Sequence, residues 1–382
     1  MTLSRGDHSL LSEWWFTIDR LQLYAICTLM LVGLIISLAA SPSVAVDKGL
    51  STFYFVKYHA IFAVVGMVLI FVISLQSPRT IRRISLLLYI VCVLSLIAVL
   101  LWGSKINGTL RWIFIFGVSF KPSEIIKPAF VVLAGWAFAE TQIRKDMPAL
   151  PIAIGLYITL SGLLIMQSDL GQTALITIVW GTLFFLAGLS LIWYISFISI
   201  GIVSIFVNFK SLPYFRCSFD QCFTFATNEH SQMRQAYRSF VDGGFLGRGP
   251  GAGTIKIKLP EAHTDFIFSV VAEEYGVLSC LVLLGLYAFI IYRALGCALI
   301  EEDPGICYGI IGLALLFGYQ TLINMSVNVG LLPVKSMALP LLSAGGSSMF
   351  GVSTTLGMLL GLSRRRPRTT YTRPNLFFNV DS

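Results

Sequence analysis

Apolar positions along this chain neither alternate with polar ones nor recur on a single helical face; they run almost unbroken for about twenty residues at a time. Such a run crosses a hydrocarbon core about 30 Å thick at a rise of about 1.5 Å per residue. Ten runs are read as helices: Leu21–Ala40, Phe53–Leu75, Ile84–Trp102, Glu124–Gln142, Leu150–Gln167, Gln172–Gly188, Leu191–Phe209, Phe266–Leu295, Gly305–Val329 and Ser347–Leu362. Only Gly188, Leu189 and Ser190 separate the sixth from the seventh, which makes that joint the weakest in the count. The predicted architecture is an all-α polytopic membrane protein, with tails at 1–20 and 364–382 around a membrane domain at 21–363. One long stretch, Lys210 to Asp265, interrupts the helices and is where the chemistry is expected.

Composition agrees: 56% of the 382 residues are hydrophobic and 12% charged, outside the range of soluble domains. The first run follows Trp14, Trp15, Asp19 and Arg20 and ends without a clear small-residue cleavage site, so it is expected to stay as a helix. The formal charge of +8 is scattered among membrane loops and excludes nucleic acid as the natural partner; the lipid bilayer explains it better. Arg5, Arg20, Arg79, Arg82, Arg83, Arg144, Lys145, Arg293 and the arginines from Arg364 onward fall in alternate loops, which are therefore cytoplasmic with both termini. Lys210–Asp265 then faces outward, away from ATP and nucleotide sugars, so any synthesis there needs a donor already activated. The stretch Gly247–Gly253 lacks the Gly-Lys-Ser/Thr ending and the preceding strand of a phosphate loop.

Cys27, Cys92, Cys280, Cys297 and Cys307 lie in or beside the runs and read as free apolar thiols, whereas Cys217 and Cys222 could pair in the outward loop. Ionisable groups at membrane depth are costly and mark functional sites by default. Glu124 and Lys127 share a helix face, with Ser123 as candidate cap and Pro128 in the first turn. Asp169 sits in the short turn before the sixth run, where it either caps that helix or lines a cavity. His263 and Asp265 open the eighth run, with Glu273 and Glu274 two turns in. Asn324, Asn328, Lys335, Ser343, Ser347 and Ser348 crowd the outer ends of the last two runs, either as a close Gly/Ser helix contact or around water and an anion. Together they predict an outward cavity with carboxylates Glu124, Asp169, Asp265, Glu273 and Glu274, and cations Arg111, Lys127, Arg248, Lys256, Lys258 and Lys335. The cations suit a phosphate-bearing substrate. With four histidines and no zinc spacing, only a hard cation such as Mg²⁺ or Mn²⁺, held by carboxylates and pyrophosphate, is a candidate cofactor.

Several stretches resemble the SEDS (shape, elongation, division and sporulation) family of ten-helix peptidoglycan glycosyltransferases: Asn107-Gly-Thr-Leu-Arg-Trp-Ile, Pro122-Ser-Glu with Lys127, Ser168-Asp-Leu-Gly171, Gly243-Gly-Phe-Leu-Gly-Arg-Gly249, Leu259-Pro-Glu-Ala-His-Thr-Asp-Phe-Ile267 and Ser343-Ala-Gly-Gly-Ser-Ser348. The Pro-Glu-Ala-His-Thr-Asp wording and Lys335 after Leu-Leu-Pro-Val are similar to the cell-division branch. Lys121, Ser168, Ser326 and Ala344 depart from the residues common in the family. The resemblance implies polymerisation of lipid II into septal glycan strands with undecaprenyl pyrophosphate leaving. It also implies Asp265 as the catalytic carboxylate, with a class B penicillin-binding transpeptidase and other division proteins as partners. The rival readings are a lipid flippase and a non-catalytic scaffold.

Overall fold

The structure, a computed structural model, describes residues 10–365 apart from 48, 50, 103, 107–108, 116–117, 145, 147, 189–231, 260 and 333–336. The expected seventh run, Cys217, Cys222 and Lys335 lie outside the described residues, as do 1–9 and 366–382 of the tails.

Every other expected run is a helix. In chain order the helices are α1 (Leu10–Thr17), α2 (Arg20–Asp47), α3 (Tyr54–Ser74), α4 (Pro78–Trp102), α5 (Pro122–Ile143), α6 (Ala149–Met166) and α7 (Leu170–Leu186). After the undescribed stretch come α8 (Gln232–Gly243), α9 (Ile267–Ile300), α10 (Pro304–Asn328) and α11 (Gly346–Leu362). Six of them, α2, α3, α4, α6, α9 and α10, are long and apolar enough to cross a membrane; α7 and α11 are apolar but shorter.

Helix α5 is the centre of the bundle, packed against α4, α6, α7, α10 and α11. Its residues from Pro122 to Ala139 are buried almost without exception, so Glu124 and Lys127 meet protein rather than lipid. Helix α11 runs along α3 and also touches α5 and α10. Small residues let these backbones approach: a Cβ on Gly135 would come within 3.0 Å of the Tyr308 main chain, and one on Gly357 within 3.2 Å of Ile70.

Two local expectations at α5 are corrected. Pro122, not Pro128, occupies the first turn, and Ser123 does not cap the helix, whose N-cap is Lys121 without a side-chain bond. Pro128 lies inside the helix and has no N–H for the Glu124 carbonyl. That carbonyl packs instead against Gly351 of α11, where any side chain would collide with it.

The all-α expectation omits a three-stranded antiparallel sheet before α5: β1 (Ser104–Ile106), β2 (Thr109–Ile115) and β3 (Val118–Phe120), in the order β1-β2-β3. Helix α8 is likewise an ordered piece of the presumed loop, with Met233, Ala236, Ser239 and Gly243 buried at helical spacing.

Helix α9 is broken at Gly276, whose φ of 81° and ψ of 173° are open to glycine alone. An unbroken helix would bond Val277 N–H to the Glu273 carbonyl and Leu278 N–H to the Glu274 carbonyl. Here the Gly243–Gly249 loop enters the gap and takes over all four groups. Arg248 and Gly249 donate to the Glu273 and Glu274 carbonyls at 2.9 and 3.0 Å. Gly244 and Phe245 accept from Val277 and Leu278 at 3.0 and 3.3 Å. These four groups are thus paired across the break, as membrane depth demands.

Candidate active site

The first cluster of expected site residues forms around α5. Glu124 receives Lys127 Nζ at 2.6 Å on one oxygen and Gln172 Nε2 at 2.6 Å on the other. Lys127 also donates to Gln320 of α10 at 3.0 Å. Lys121 lies 2.9 Å from Asp169 and 3.8 Å from Glu124. Arg111 of β2 reaches Asp169 at 3.8 Å and donates to the main-chain carbonyls of Gln167 and Ser168. Asp169 thus occupies the N-cap position of α7 yet makes no capping bond; its carboxylate faces the cations. Three cations (Arg111, Lys121, Lys127) meet two carboxylates (Glu124, Asp169), leaving the network formally positive.

Gln320, Asn324 and Asn328 are spaced four apart on α10 and form one polar stripe. Gln320 joins the ion network to the Ala338 carbonyl at 3.2 Å. Asn324 donates to the carbonyls of Met337 and Asp265 at 2.6 and 3.0 Å. Asn328 donates to the Asp265 carbonyl at 3.0 Å and accepts from Ser269 Oγ at 2.7 Å. The stripe therefore ties the Glu124–Lys127 pair to the segment bearing Asp265. Opposite it, Ser343 donates to the Thr264 carbonyl at 2.6 Å, Ala344 N–H donates to the His263 carbonyl at 3.0 Å, and Phe55 of α3 lies against the His263 ring at 4.3 Å between centroids. The segment His263–Asp265 is held on both sides through its main-chain carbonyls, and Asp265 is 8% exposed. Ser347 lies in the first turn of α11, directly after this bracket.

Other predicted members are placed elsewhere. Glu273 accepts the main-chain N–H groups of Thr254, Ile255 and Lys256 at 2.6, 2.8 and 3.1 Å. Glu274 is paired with Lys256, which also donates to the Ala39 carbonyl at 3.0 Å. Lys256 is thus a strut between the loop, α9 and α2 rather than a cavity cation. Arg248 pairs with Asp242 at 3.2 Å on the exposed side of the loop. Sequence reasoning missed Gln172 and Gln320, uncharged amides whose signal was their position one helical repeat from flagged residues. Among the described residues no three carboxylate, histidine or cysteine side chains gather as a metal site. Cys27, Cys92, Cys280, Cys297 and Cys307 are free thiols, as expected.

A bundle of apolar helices with an ion network sealed inside it and an aspartate braced at one end defines a multi-pass helical membrane protein with a polar interior site. A family model described as a cell cycle protein, covering FtsW, RodA and SpoVE, matches residues 19–368, and the chain belongs to that family. It is 38% identical over 365 residues to the probable peptidoglycan glycosyltransferase FtsW of Caulobacter vibrioides, covering 95% of this chain and 94% of that one. It is 32% identical to the protein of the same description in Trichlorobacter lovleyi, covering 90% and 93%. Among solved structures, it superposes on a chain of a peptidoglycan synthase complex that coordinates polymerization and crosslinking, with a TM-score of 0.76, 25% identity and 91% and 97% of the two chains covered. The Thermus thermophilus rod shape determining protein RodA shares the fold, with a TM-score of 0.67, 24% identity and 92% and 99% covered.

Proposed function

We propose that this protein polymerises lipid II into glycan strands at the division septum. The chain is a peptidoglycan glycosyltransferase of the FtsW kind; the observation that carries the assignment is 38% identity to a protein of that description along nearly the whole chain. The class B transpeptidase partner, with other division proteins around it, is supported by the likeness to one chain of a peptidoglycan synthase complex. Ten spans, an outward 210–265 loop within a 21–363 membrane domain, and cytoplasmic termini complete the proposal. In its support, Arg293 near the end of α9 bonds Asp19 at 2.6 Å and Arg364 just past α11 donates to the Leu75 carbonyl at 3.0 Å, gathering basic residues of separate segments at one end of the bundle.

Asp265 is the general base. It takes the proton of the acceptor sugar's 4-hydroxyl as that oxygen attacks the donor's anomeric carbon with inversion. The carbon–oxygen bond to undecaprenyl pyrophosphate breaks, and a leaving group of this quality needs no strong acid. Its charge is met by the cations of the site: Arg111 and Lys127 within the positive network, and Lys335 beyond the described residues. A Mg²⁺ or Mn²⁺ ion would have to draw much of its ligand set from the pyrophosphate, since no three of the described carboxylate, histidine or cysteine side chains converge on one point.

Purified protein with its transpeptidase, given lipid II, tests this. Polymer formation that is lost in Asp265→Asn is the expected result. Wild-type polymerisation by Asp265→Asn refutes the base, and movement of lipid II across vesicles without any polymer favours a flippase.

A further inference from the structure

His59 on α3 is 2% exposed, and neither ring nitrogen has a hydrogen-bond partner. An imidazole left so in a bundle interior is destabilising, and a fold does not retain it without return. The register of α3 on α11 says where the ring lies. Phe62 covers Gly346, Gly66 faces Met349 and Ser353, Ile70 faces Gly357, and Ile73 faces Gly361, so the two helices run parallel. His59, Ala63 and Gly66 form one stripe on α3. Phe62 lies over Gly346, the first residue of α11, so His59, one turn earlier on α3, lies level with the turn that leads into α11. His59 therefore sits beside the N-terminal end of α11.

That end is open. Its N-cap is Gly345, with no side-chain cap, so the N–H groups of Gly346, Ser347 and Ser348 have no acceptor in their own helix. Four residues before His59, the Phe55 ring lies tilted against His263, and Ser343 and Ala344 hold the carbonyls of Thr264 and His263. The end of α11 and the Asp265 segment are thus neighbours.

The geometry points to a phosphoryl-binding site made of the α11 N-terminus and His59, which takes a pyrophosphate oxygen of the lipid-linked substrate or product beside Asp265. Unpaired N–H groups at a helix start favour anions, and a neutral imidazole adds one N–H donor there. The inference rests on the polymerase reading and adds to it a residue outside the charged motifs. His59 here is a binding residue and carries no proton in the glycosyl transfer.

The test is binding to the full chain in nanodiscs, with undecaprenyl pyrophosphate as probe and undecaprenol, which lacks phosphate, as control. His59→Leu should weaken the pyrophosphate lipid about tenfold and leave undecaprenol unchanged, while His59→Gln, which keeps an N–H donor, should stay within about threefold of wild type. Equal weakening of both lipids would make His59 a packing residue, and no change in either would leave it solvating a buried water; each overturns the site. Should His59→Leu fail to fold, nitrogen-labelled histidine spectra of wild type decide: the His59 signal, identified by its loss in His59→Gln, must move with undecaprenyl pyrophosphate and not with undecaprenol. Wild type that prefers the pyrophosphate lipid yet makes no polymer sinks the polymerase reading and leaves this site standing.

Discussion

The side-chain amide of Asn328 donates to the main-chain carbonyl of Asp265 at 3.0 Å, and its oxygen accepts from both the N–H and the hydroxyl of Ser269. One side chain on α10 thus fixes the residue before the N-cap of α9 and the third residue of that helix together. Asp265 needs this because it ends a loop, where the backbone has no ladder of its own. Replacing Asn328 by Asp keeps the acceptor for Ser269 but removes the donor to Asp265. The expected outcome is a loss of about tenfold in kcat for lipid II polymerisation with KM little changed, since aim and not binding is lost. An unchanged kcat would separate the stripe from catalysis.

The pair Glu124–Lys127 is buried, at 2.6 Å, and each partner is further bonded to an amide, Gln172 or Gln320. Lys127→Met strips Glu124 of its closest cation inside the bundle and should cost about 3–5 kcal/mol, read as a fall in thermal unfolding temperature in detergent. Lys127→Met combined with Glu124→Gln should recover part of that stability without recovering polymerisation. If the double variant is no more stable than the single one, the penalty does not come from an unpaired charge.

Helix positions were legible in the sequence because lipid imposes a length and a composition on any segment that faces it, and α2, α3 and α4 obey both. Helix α5 was legible for the opposite reason: its charges stood out against an apolar run. What the sequence could not reveal was which charges are mutual partners. Glu124 with Lys127 is a local spacing, but Lys121 with Asp169 and Lys256 with Glu274 join separate segments and follow only from packing. The break in α9 was hidden too. Gly276 inside an apolar run reads as an ordinary helical glycine, and the Gly243–Gly249 loop that replaces its bonds lies some thirty residues earlier. The small sheet had a signal in the run Thr109–Ile115, rich in branched and aromatic residues, which a search for membrane helices passes over.

Gly276→Ala tests the healed break. A Cβ there would strike the Phe245 carbonyl and hold the backbone in a region open only to glycine. The variant should lose at least about 2 kcal/mol of stability and release the loop, exposing it to limited proteolysis between Phe245 and Arg248 while the helices stay intact. Unaltered protease resistance would mean the loop is held by other contacts.

Glu273 separates a structural carboxylate from a catalytic one. Both its oxygens are taken by three main-chain N–H groups of the segment leading to Asp265, at 2.6 to 3.1 Å. Each of those donors is charge-assisted, so the carboxylate works as a clamp on the loop and has little capacity left for substrate. Glu273→Gln retains shape and one acceptor but presents its own N–H groups where N–H groups already point, costing about 1–3 kcal/mol of stability. A base would leave a different trace. Removing a titrating catalytic group changes the pH dependence of kcat, whereas loosening a clamp lowers the rate at every pH alike. The expected result for Glu273→Gln is therefore a lower unfolding temperature and a lower rate with the wild-type pH profile. A profile that loses its acidic limb would move Glu273 from the scaffold into the reaction and require the base to be shared with Asp265.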